Sequence, residues 1–173
     1  MSQGLGHYLG EVLHHLDPRP LPASRLAWAL RHLSPAEQRL FCAMRPSDQR
    51  HCWAVAQAVV RKEDLSLRER AILIRAALLH DVGKAGVPNG LAVRTVNALW
   101  RNKVPLWLPS FFREAVLTLR AHAGRGASRL REAGTDLAVV TLVRWHEAEE
   151  PPEELPDGLR LLLTILQRAD EEN

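Results

Sequence analysis

The stretch from Ala71 to Lys84 constrains this chain more than any other. A nearly unbroken apolar run, Ala71 to Leu79, reads as a buried helix. It stops abruptly at His80-Asp81-Val82-Gly83-Lys84. A carboxylate and an imidazole at the buried end of such a helix are costly unless something compensates them, because an unpaired buried carboxylate loses its solvation. A divalent metal compensates both, and a carboxylate such as Asp81 has the oxygens to bridge two ions. An Asp-Gly helix end with a solvated histidine beside it is the plainer alternative.

Bulk properties narrow the class. The chain has 173 residues, 46% hydrophobic, which suits one globular domain with a sizeable core. The formal charge of +3 comes from scattered arginines, the residue suited to bidentate recognition of phosphate or carboxylate. That excess is too mild to imply nucleic-acid binding. Cys42 and Cys52 form no CxxC pair, so both are expected to be reduced thiols in a cytoplasmic protein. The first residues lack a signal-peptide layout, and no stretch approaches the ~18 apolar residues of a membrane span. The aromatic-rich segment from Trp100 to Phe112, with Trp107, Leu108 and Phe111, is read as a core contribution. A lid, a membrane contact or a partner surface is its other reading.

Helix punctuation repeats along the chain, and no period-two alternation lies between hairpin turns. Leu5 to Leu16 and Pro22 to Leu33 read as helices. Ser34-Pro35 with Glu37 has the pattern of a capping box opening a third, which runs to about Met44. Further helices are expected over Gln49 to Arg61, from the Ser66 cap through Leu79, over Ala92 to Lys103 and over Pro109 to His122. Gly124 and Gly126 are expected to interrupt before a short helix from Ala127 to Ala133. Leu137 to Ala148 and Leu159 to Ala169 complete an all-α domain. Residues 1–45 are expected to form an N-terminal helical extension to a bundle over 46–173.

Other polar side chains stand where this pattern wants apolar ones. His51 lies on the apolar face of its helix, one turn before Val55. His122, His146 and Asp170 each end an apolar helix. A lone histidine on an apolar face is more often a satisfied core residue, and Asp170 could be a plain helix-end carboxylate. Together, four histidines and two aspartates supply a first shell for two divalent ions. His7, His14, His15 and His32 are read as surface or packing residues.

The ordered set His51, His80-Asp81, His122, His146 and Asp170 resembles the HD-domain superfamily. His80-Asp81-Val82-Gly83-Lys84 is similar to that family's HDxGK, His122-Ala123-Gly124-Arg125-Gly126-Ala127 to its HxxxGA, and Trp145-His146-Glu147 to its HHE with tryptophan replacing the first histidine. The resemblance covers about residues 45 to 172. It implies an all-helical metal-dependent phosphohydrolase or phosphodiesterase acting on a nucleotide or other small phosphate ester through a metal-activated water. By that resemblance one ion is held by His51, His80, Asp81 and Asp170. A second shares Asp81 and adds His122 and His146. The metal itself (manganese, iron, nickel, cobalt, magnesium or zinc) is left open. Asp81 and Lys84 are the candidate catalytic residues. Lys84, Arg125 and Arg129 are candidate phosphate contacts, though a cation at a helix end and solvated arginines explain them equally simply. Glu147 is a candidate to orient His146 or a water. The Gly-Tyr-Pro motif of the cyclic-dinucleotide branch is missing, which argues against that substrate. A diiron oxygenase, or a non-catalytic module on the same scaffold, are the alternatives.

Overall fold

The structure is a computed structural model, described here over residues 19–61, 65–87, 93, 105 and 107–173. These residues form eight α-helices and no strand: α1 Ala23–Arg31, α2 Pro35–Cys42, α3 Pro46–Val60, α4 Leu67–Leu79, α5 Ser110–Arg120, α6 His122–Glu132, α7 Leu137–Trp145 and α8 Asp157–Glu171. A single 3₁₀ turn, Val82–Lys84, follows α4. The all-α expectation holds. The expected helices over Leu5 to Leu16 and Ala92 to Lys103 lie outside the described residues, apart from Val93, and so do His7, His14, His15 and Trp100.

Local chemistry accounts for where the helices begin. Ser34 and Ser66 each close a capping box, with Glu37 and Glu69 returning a carboxylate to the cap amide. Asp136 caps α7 by accepting from the Ala138 amide. Gly134, at φ 71°, ends α6, and the Thr135 amide reaches back to the Leu130 carbonyl at 3.0 Å in a Schellman closure. The α3 helix starts earlier than expected, at Pro46, which puts Ser47 and Asp48 inside its first turn.

The helices α3 and α4 pack on each other at the centre, α7 packs on α4, and α8 packs against α3, α4 and α7. One core cluster runs through all of them, from Phe41, Val55 and Val59 to Leu78, Leu79, Leu142, Leu163 and Leu166. Leu21, Ala29 and Leu33 of the N-terminal segment belong to the same cluster. The buried Glu37 side chain fixes α2 to α4 by accepting from the Arg75 guanidinium at 2.6 Å. None of the described helices is long and apolar enough to cross a membrane.

Two expectations are corrected. Gly124 and Gly126 do not interrupt a helix: α6 runs unbroken from His122. The reason is contact with the 3₁₀ turn. A β-carbon on Gly83 would fall 1.9 Å from the His122 carbonyl oxygen and 2.7 Å from the Gly126 nitrogen. Only a glycine-on-glycine approach lets the turn lie against α6, and that packing outweighs the ~1 kcal/mol helix penalty of a glycine. The aromatic segment is also not simply core. Trp107 is 74% exposed and Phe111 64%, while Phe112 packs on a small second cluster of Val93, Ala115, Val116 and Leu119.

Candidate metal centre

The backbone collects its polar side chains at one place inside the bundle. His51 projects from the second turn of α3, His80 and Asp81 follow the last turn of α4, His122 opens α6, His146 caps the C-terminus of α7, and Asp170 lies in the last turn of α8. His80, Asp81, His122 and His146 are all at most 4% exposed. Three overlapping groups each bring their ligand atoms within 4.8 Å of one another: His51 with His80 and Asp81, His80 with His146 and Asp170, and Asp81 with His122 and His146. Sequence reasoning named all of these side chains, and the fold brings them together.

Three of the imidazoles are held the same way. The Nδ1 atoms of His80, His122 and His146 face the carbonyls three residues earlier, Ala77 at 2.9 Å, Leu119 at 2.7 Å and Val143 at 2.8 Å. A carbonyl only accepts, so each Nδ1 donates and carries the proton. That leaves Nε2 as the ligand atom of each ring, with its lone pair exposed whenever the ring is neutral. These lone pairs converge: the Nε2 atoms of His122 and His146 lie 3.2 Å apart. Two neutral acceptors at that distance repel unless a proton or a cation stands between them. His80 Nε2 and Asp81 Oδ1 are buried and lack a hydrogen-bond partner. Unsatisfied, inward-facing nitrogen and oxygen donors, braced from behind by backbone carbonyls, fit a divalent metal.

The carboxylates complement this arrangement. Asp81 Oδ2 accepts from Lys84 Nζ at 2.7 Å, which turns Oδ1 toward His122 Nε2 at 3.2 Å and His80 Nε2 at 3.6 Å. Asp170 Oδ1 lies 2.7 Å from His51 Nε2 and 3.4 Å from His80 Nε2. Burial resists ionisation of Asp81, but Lys84, His80 and His122 outweigh it and hold its carboxyl well below the usual range. For Asp170 burial is likewise outweighed, by His80 and His51, so it too is lowered. Lys84 is raised: burial opposes its charge, and Asp81 overcomes that. Among the histidines the site splits. Burial works against charge on His80, yet Cys52, Asp81 and Asp170 hold its pKa well above the normal value. His146 is pushed down to about 3, by burial first and then by His80 and His122. Without metal, then, the positive charge sits on the His80 side of the cluster.

The remaining sequence candidates fall in different positions. Glu147 is half-exposed at the rim, with Oε2 3.4 Å from His122 Nδ1, and burial raises its pKa against the pull of His122 and Lys84. Arg125 has a buried guanidinium nitrogen without a hydrogen-bond partner. Arg129 is engaged elsewhere: it donates to the Val82 carbonyl at 3.0 Å and the Ala85 carbonyl at 3.1 Å, bracing the turn that carries Lys84.

Two residues went unrecognised in the sequence. Asp48 is 1% exposed on α3, and its charge acts on both Lys84 and Cys52. Cys52, fully buried, has its sulfur 3.7 Å from His80 Nδ1. The spacing of Asp48, His51 and Cys52 on one helical face was the available signal. It was masked because Asp48 reads equally well as a helix cap.

The family model described as HD domain matches residues 49–172. No curated protein and no solved structure gives a significant match. The matched stretch runs from α3 through α8 and carries every side chain of the buried histidine–aspartate cluster, and the chain therefore belongs to the HD-domain family.

Proposed function

We propose that this protein is a metal-dependent phosphohydrolase that cleaves a nucleotide or another small phosphate ester. The observation that carries the reading is the convergence of the His122 and His146 Nε2 atoms, 3.2 Å apart, beside a buried Asp81 oxygen. His51, His80, Asp81 and Asp170 would hold one ion, and Asp81, His122 and His146 a second. Bound there, divalent metal supplies Lewis acidity that lowers the pKa of a coordinated water and offsets charge on phosphate oxygens.

The protein's own groups divide the rest. Asp81 stays ionised at neutral pH, because Lys84 and the neighbouring histidines stabilise its anion. Lys84 stays protonated and is anchored on Asp81, so its ammonium is positioned at the cluster to meet a phosphate oxygen or the leaving group. Arg125 is kept as a candidate phosphate contact on the strength of its unpartnered guanidinium nitrogen. Glu147, raised by burial at the rim, is suited to hold a proton where the leaving group departs.

The test is phosphate or alcohol release from a panel of nucleoside mono-, di- and triphosphates and phosphodiesters, with protein reloaded separately with manganese, cobalt, nickel, zinc, magnesium and iron. Metal-dependent hydrolysis lost in Lys84→Met and Asp81→Ala supports the reading. Oxygen uptake with iron alone, and no hydrolysis with any metal, replaces it with oxygenase chemistry.

A further inference from the structure

A second feature lies on the opposite faces of α6 and α7. His122 and Arg129 point α6 toward the metal cluster and the 3₁₀ turn, and His146 does the same for α7. By helical periodicity Gly124, Ser128 and Arg131 of α6, and Thr141 and Arg144 of α7, face the other way. With Ala127, Val140 and Trp145 they line a pocket of about 370 Å³.

The lining is chemically one-sided. Two arginines and two hydroxyls converge, with no acidic residue among them. Neither Arg131 nor Arg144 forms an ion pair with a carboxylate among the described residues. Arg144 rests near the Trp145 ring, 5.7 Å from its centroid, a contact that orients the guanidinium without neutralising it. It also lies across Gly124, where a β-carbon would fall 2.5 Å from a guanidinium nitrogen. Gly124 occupies the first turn of α6, where the helix dipole favours an anion.

We propose that this pocket is a second ligand site, separate from the metal cluster, that takes a small phosphate-bearing molecule. Two guanidinium forks supply bidentate donors for phosphate oxygens, Ser128 and Thr141 add hydroxyl donors, and the volume is within the range of small-molecule sites. Its occupancy also has a short path to the cluster. Gly124 is two residues from His122, and Arg144 two residues from His146, so a ligand that draws α6 and α7 together shifts both imidazoles.

The experiment is calorimetric titration of inorganic pyrophosphate into chelator-treated protein, which removes metal-borne attraction for phosphate and leaves the double arginine variant to separate this pocket from Lys84 and the histidines. Wild type, Arg131→Gln/Arg144→Gln and Asp81→Ala are compared, each checked for native helicity by circular dichroism. The proposal expects one binding event in the chelated wild type, weakened about tenfold or more in the double arginine variant. Asp81→Ala should retain it. Equal binding by wild type and the double variant, or no binding by the chelated wild type, overturns the site. So does binding lost in Asp81→Ala with folding intact. This readout is independent of catalysis, so failure of the hydrolase reading leaves it standing.

Discussion

The Nε2 atoms of His122 and His146 face each other at 3.2 Å while both Nδ1 atoms are turned to backbone carbonyls. The two rings come from different helices, one at the start of α6 and one just past the end of α7. Removing either should affect only part of the cluster. His122→Ala is expected to lower bound metal by about one ion per chain, because His51, His80, Asp81 and Asp170 remain for the other. Metal analysis of the purified variant beside wild type checks this, and an unchanged metal content would remove His122 from the centre.

Gly83→Ala should be among the most damaging small substitutions in the molecule. The added carbon meets backbone atoms, the His122 carbonyl and the Gly126 nitrogen, rather than a side chain that can swing away. The 3₁₀ turn and α6 must separate, at a cost of about 3 kcal/mol or more. Urea denaturation measures the loss, and metal affinity should fall with it, because the turn carries Lys84 and the helix carries His122.

These two glycines show why part of the fold was hidden in the sequence. The capping box at Ser34 and Glu37 and the apolar run into His80 are local signals, and each element they announce is present. Gly124 and Gly126 gave an equally local signal for a break, and it misled. Gly126 is needed for contact with Gly83, a residue 43 positions away on another element, and nothing near it in the chain reports that. Similarly, the apolar faces pointed to His51 and His146, whereas the burial of Asp48 depends on how α3 begins at Pro46.

The Glu37–Arg75 pair ties the N-terminal helices to α4. Arg75→Met leaves a fully buried carboxylate without its cation, and the expected loss is about 3 kcal/mol. Glu37→Gln combined with Arg75→Met should recover much of that, since no charge is then stranded. Chemical denaturation of the single and double variants gives the comparison. A single variant as stable as wild type would assign the docking of α2 to apolar contacts alone.

The depressed pKa of His146 gives the metal-free protein a defined pH response. Its folded value is about 3 and its unfolded value about 6.5, so below pH 6.5 the unfolded chain binds a proton that the folded chain does not. Stability therefore falls as pH drops through this window, by up to ~1.4 kcal/mol per pH unit. His80, raised in the folded state, is protonated in both states over most of that window and adds little slope there. Glu147, also raised, acts with the opposite sign near the acidic end. His146→Leu isolates the histidine contribution: between pH 6.5 and 4 its stability should decline less steeply than that of wild type. Parallel curves would mean that His146 is protonated in the folded protein.

Bound metal tests the central claim most directly. Protein purified without chelator, wild type beside Asp81→Ala, is analysed by inductively coupled plasma mass spectrometry. The geometry places Asp81 in two of the three ligand groups, so wild type should carry about two divalent ions per chain and the variant close to none. A wild-type protein that stays metal-free even after incubation with manganese, iron and zinc would contradict the account and leave the converging histidines without a cation.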